Sequence, residues 1–312
     1  MTHSGIERFK LKLFGITIPP AALALTVCFA IFISPRVSIA VLPGIKLAAV
    51  GVLPSLFPFM IVADLYTAFG YPERIGALNW LTKKLYGLPP VACRALILGN
   101  LAGFPIGAKI AAELYTGGDI DKKSAEKLIA VAHNPSIPFI VAYVGGGLLG
   151  SEIKGLFLLT IIYISNLLCA QVNRGKAEYG GKYKTAANTF NLPASVRGAA
   201  STAVNVVGYI TFFYTLSYAI SLFVKDKWLK LCLTIPLEVT GALTKILSLG
   251  LDCRLTLSLL CAALSFGGLC TLMQAAEFST RAHLSLRGCI LHKLFTAVVS
   301  FLLVLIFYPL LF

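Results

Sequence analysis

The sequence is poor in charge and poor in the groupings from which chemistry is built. Only 13% of its 312 residues are charged, and Asp and Glu together number 13. A soluble domain of this length needs far more polar surface to cover its core. The histidines, His3, His133, His283 and His292, lie at no metal-ligand spacing. The cysteines (Cys28, Cys93, Cys169, Cys232, Cys253, Cys261, Cys270 and Cys289) are scattered, mostly within apolar segments. None forms the close pairs of a zinc or redox site, so they read as small apolar side chains. No Ser/His/Asp set suggests itself, and Gly145-Gly146-Gly147 lacks the Lys-Ser/Thr that completes a phosphate loop. From these absences no enzyme, no metal and no cofactor are expected.

What the chain has is apolar length. Hydrophobic residues make up 57% of it and the mean hydropathy is +0.84. Apolar stretches long enough to cross a bilayer recur from about residue 13 to residue 312. The net charge is +14, but its basic residues sit in short loops between those stretches. That distribution signals cytoplasmic loop retention in a multi-pass cell-membrane protein, a bacterial inner membrane being the expected setting. It leaves no soluble basic surface for nucleic acid. Arg8, Lys10 and Lys12 precede an apolar run as in a signal peptide. The run ends at Ser34-Pro35-Arg36 without a clean cleavage motif, so a retained first span is expected.

The pattern predicts an all-α membrane fold of about seven spanning helices and two re-entrant helical hairpins. The spans fall at about 13–34, 43–70, 128–150, 153–171, 203–224, 255–276 and 289–312. Two further apolar stretches, 88–115 and 228–250, are interrupted by glycine and proline and read as hairpins. Residues 1–42 are expected to form a basic segment with the first span, and 43–172 a first gate-like repeat. A basic linker, 173–202, then precedes a second repeat, 203–312. With the N-terminus and the linker in the cytoplasm, the two hairpins open from opposite sides. That is the inverted-repeat plan of secondary transporters. Lys225, Lys227 and Lys230 then fall outside, against the charge rule.

Four breaks interrupt helices at membrane depth, where irregular backbone survives only if buried in protein or lining a wet cavity. They lie near Gly103-Phe104-Pro105, Asn134-Pro135, Pro236-Leu237-Glu238 and Gly267-Gly268. Amides at the start of a half-helix suit an anion. Asn134 is expected to cap the second break, with Pro135 at the first helical position and the Ser136 amide facing the gap. Lys109 either pairs with a substrate carboxylate or makes a local pair with Glu113. Glu238 either binds a coupling proton or cation or offsets its own helix dipole, with Lys245 as a partner two turns on. Asn100, His133, Ser265 and Gln274 lie in or beside the breaks and could bond a ligand or the freed backbone.

Several of these segments resemble a known family. They are Pro54-Ser55-Leu56-Phe57-Pro58-Phe59, the run Gly103 to Lys109, the run His133 to Phe139, and Leu264 to Gln274. They are similar to the sporulation integral membrane proteins of the YlbJ type, within the wider nucleoside-recognition or gate-domain group. The resemblance extends over roughly 42–312. It implies transport and, for the sporulation members, uptake of dipicolinic acid across the outer forespore membrane. The residues matching the family's motifs are Gly103, Pro105, Gly107, Lys109, Asn134, Pro135, Ser136, Gly267, Gly268 and Gln274. A carrier of a small organic anion is therefore expected. A nucleoside or other neutral-solute carrier, and a non-transporting scaffold, stand as alternatives. The coupling ion (proton or sodium) and a homo-oligomeric state stay open.

Overall fold

The computed structural model of the protein describes residues 11–13, 16–18, 34–68, 80–172 and 191–311. Most of the expected first span, and the basic linker up to residue 190, lie outside these. A short antiparallel ladder pairs β1 (Leu11–Leu13) with β2 (Ile16–Ile18). Everything else regular is helical.

The long apolar helix α1 (Pro35–Tyr66) opens the helical body. A pair of short helices follows, α2 (Cys93–Ala102) and α3 (Ile106–Thr116). Next come α4 (Lys122–Ala132) and the wide-turn helix α5 (Phe139–Leu148), separated by an irregular stretch, and then α6 (Glu152–Val172). The same order recurs beyond the linker. It runs α7 (Leu192–Phe223), the short pair α8 (Lys227–Thr234) and α9 (Val239–Leu247), the broken pair α10 (Cys253–Phe266) and α11 (Gly268–Arg281), and α12 (Arg287–Leu311). Among the described residues, five helical stretches are long and apolar enough to cross a membrane. The expected span at 128–150 is instead split between α4 and α5, neither of which is long enough alone.

The starts of these helices follow from their flanking side chains. Asp121, Asn191, Asp226 and Asp252 each stand before a helix and accept a hydrogen bond from the amide three residues on. Gly117-Gly118 ends α3 as its glycines predict, Gly118 adopting φ 80°.

Packing interleaves the two halves of the chain. Helix α12 lies against α10 of its own half and against α6 and α4 of the other; α6 in turn packs on α10. Helix α3 reaches across to α11, while α7 packs along α1 and α11. The buried core runs through all of them, from Ala48 and Met60 to Leu257, Leu264 and Val304. Large apolar side chains outside it, such as Val50, Val204, Phe295 and Ile306, face outward. An apolar outer surface over an apolar core is what a bilayer solvent requires.

Candidate functional site

The four breaks converge. Gly103 lies against Ser136, where an added Cβ would stand 2.6 Å from the Ser136 amide nitrogen. Gly107 is tighter still, its Cβ position being 2.2 Å from the Ala132 carbonyl oxygen. These two approaches bring the α2–α3 break onto the α4–α5 break. In the second half the amides of Leu269 and Cys270 donate to the carbonyls of Pro236 (2.7 Å) and Leu237 (2.9 Å). Between the pairs stands Phe104, whose ring centroid is 4.4 Å from that of His133 and which touches Gly267 from the other side.

A cavity opens where the breaks meet, with about 30 Å³ of room for water-sized guests, enough for one or two waters. Its polar lining comes from Ser136, Glu238, Thr240, Thr271 and Gln274, and Phe104 and Phe139 supply aromatic faces. Gln274 donates to Cys270 Sγ at 3.5 Å, and its Oε1 has no hydrogen-bond partner. Glu238 is 2% exposed. One of its oxygens accepts from the Thr240 amide at 2.7 Å and the other from the Gly241 amide at 2.6 Å. The carboxylate therefore answers the free amides and dipole of α9, the second of its two sequence readings. Lys245 makes no direct ion pair with it: its Nζ donates to Ser217 Oγ at 2.7 Å, and the two charges act on each other only at longer range.

Of the residues singled out from the sequence, Pro135, Ser136, Glu238 and Gln274 line the cavity. Gly103, Gly107, Gly267 and Gly268 build its frame by close approach, and Pro105 caps α3. Lys109 is not brought in. Its Nζ forms an ion pair with Asp64 of α1 at 2.6 Å rather than with Glu113. Asn134 does not cap the second break. The chain stays irregular through Ser136, whose Oγ accepts from the Phe139 amide at 3.2 Å and so starts α5. The free half-helix amides expected for an anion are largely taken by the protein itself: Leu269 and Cys270 by carbonyls, Thr240 and Gly241 by Glu238, Phe139 by Ser136.

Asn134 is occupied elsewhere, in a buried polar cluster behind the cavity wall. Its Nδ2 donates to Asn100 Oδ1 (3.0 Å) and the Val131 carbonyl (2.9 Å). Its Oδ1 accepts from Asn166 Nδ2 (2.8 Å) and from Lys293 Nζ (2.7 Å). His292 Nε2 lies 2.9 Å from Asn166 Oδ1. Lys293 is wholly buried. Neither Lys293 nor Asn166 belongs to the breaks that the sequence marks out. The available signal was an ionisable residue in a 25-residue apolar helix.

Comparison with known proteins then places this geometry. Over 132 residues, 42% of the chain, it is 30% identical to "Sporulation integral membrane protein YlbJ" of Bacillus subtilis (strain 168). The similarity is to the YlbJ-type membrane proteins. The matched stretch spans 32% of the YlbJ chain, about a third of its length. No family model matches the sequence. No solved structure matches it either. An integral membrane relative and five apolar helices of spanning length make this a multi-pass membrane protein.

Proposed function

We propose that the protein is a secondary carrier that binds a small organic solute where the four helix breaks meet, in two repeats of opposite orientation with the N-terminus in the cytoplasm. The observation that carries the reading is the convergence itself. Irregular backbone at membrane depth is costly unless it is buried in protein or lines a cavity, and all four breaks contribute residues to one cavity. A scaffold gains nothing from collecting Glu238, Gln274, Thr240 and Ser136 around an internal void. With room for one or two waters only, the cavity would have to widen as the halves shift to admit a solute.

The lining favours a neutral, hydrogen-bonding solute with an aromatic or apolar face, of the nucleoside kind. It offers Phe104, Phe139, an unsatisfied amide oxygen on Gln274 and no cation, while Lys109 is held by Asp64. A small organic anion is the second reading, dipicolinate at the forespore membrane being the one the YlbJ resemblance suggests. Lys293 supports it, as a buried ammonium one residue behind the Pro135–Ser136 wall.

Reconstitution into liposomes with labelled uridine and labelled dipicolinate, under imposed ion gradients, separates these readings. Uptake of uridine supports the first and uptake of dipicolinate the second. A correctly folded preparation that takes up neither probe points to a scaffold.

A further inference from the structure

We infer that Lys293 is the coupling site of the carrier, exchanging one proton with each solute moved; the inference rests on the carrier reading above. The side chain is wholly buried and its Nζ makes one hydrogen bond, to Asn134 Oδ1 at 2.7 Å. The ion pairs among the described residues include Lys109–Asp64 and Arg281–Glu277, and Lys293 belongs to neither. A charge buried without a counter-ion is expensive, and in a membrane interior it marks proton and ion pathways.

Among the described residues its surroundings supply no fixed counter-charge. Cys289 and His292 face it from its own helix, Cys169 from α6 and His133 from the second break. Helix α4 adds the positive Lys127 beside His292. No carboxylate appears in this set. The resident ammonium also occupies Asn134 Oδ1, an acceptor on which a sodium ion bound there would draw.

The chemistry is a single proton transfer. An N–H bond of the ammonium breaks, its electron pair stays on Nζ as an amine, and the proton passes to water. What changes is the grip on Asn134. The charge-assisted bond weakens, and the neighbouring Pro135 and Ser136, which line the cavity, lose one of the ties that hold them through Asn134. Proton state and wall position are thereby tied.

The test uses the full chain in liposomes holding a pH indicator, with uridine and dipicolinate as probes. With one proton per neutral solute, an inward gradient of one pH unit should drive up to about tenfold accumulation and acidify the lumen. Lys293→Met and Lys293→Arg should still exchange solute down its gradient, but neither should accumulate it or acidify the lumen. Wild-type uptake without acidification, uptake that follows sodium, or accumulation by Lys293→Met at the wild-type level would each overturn the inference while leaving the carrier reading standing. Uptake of neither probe by the wild type would overturn the carrier reading. In that case solute-free melting across pH decides whether Lys293 exchanges a proton, and parallel curves for wild type and Lys293→Met would say that it does not.

Discussion

At Gly107 the backbone of α3 approaches the Ala132 carbonyl so closely that a methyl group has no room. Gly107→Ala must push α3 away from the α4–α5 break. The expected cost is about 1–3 kcal/mol, as for other overpacked sites, read as a lower melting temperature in detergent. Glycine at this position was legible in the sequence as a sign of irregular backbone, although its purpose, close approach, needed the neighbour. Lys109 shows the opposite outcome. An ammonium in an apolar run announces a partner, but nothing local names Asp64, which lies 45 positions away. Removing either member alone should destabilise the protein by about 1–3 kcal/mol, because the other is left unpaired. The double variant Asp64→Asn/Lys109→Met should recover most of that loss in the same melting assay. Were Lys109 instead a substrate ligand, the double variant would stay inactive.

Among the elements, α9 depends most visibly on one side chain. Glu238 satisfies two of its first amides, so Glu238→Ala should cost about 1–2 kcal/mol of stability, in the range of lost helix caps. Glu238→Gln keeps an acceptor for one amide and should fall between the two in a melting series. Both variants should slow uptake, since the side chain also lines the cavity. Such caps were readable in advance at Asp121, where aspartate follows Gly117-Gly118 and precedes a charged first turn. At Asn134-Pro135 the same logic misled. Three side chains, Lys293, Asn166 and Asn100, hold Asn134, and the helix restarts only after Ser136. The capping preference of asparagine is a local effect, and a buried cluster assembled from four segments outweighs it.

For the molecule as a whole, apolar length was enough to read an all-helical membrane fold and the places where its helices break, while five stretches of spanning length stand among the described residues and the expected span at 128–150 is split. Apolar length could not show that the breaks meet, since convergence depends on which helices pack together. The orientation remains a prediction, with a direct check. In a background without native cysteines, Lys227→Cys should react with an impermeant maleimide added outside cells, and Ser285→Cys only after the membrane is opened. The reverse pattern would turn the layout over.

The place of α12 has a mechanical consequence. It closes the second half of the chain and packs on α10, where Arg254 donates to the Leu305 carbonyl. Its first turns are tied to the first half as well, through Lys293 to Asn134 and His292 to Asn166, with the Ser285 amide just before it on Glu126. It is braced on α10, α4 and α6 alike. Any movement of one half against the other would therefore have to break these ties or carry α12 along. Severing the chain in the linker would leave two fragments, neither of which carries a complete wall, and each would have to find the other before either could stand in a bilayer.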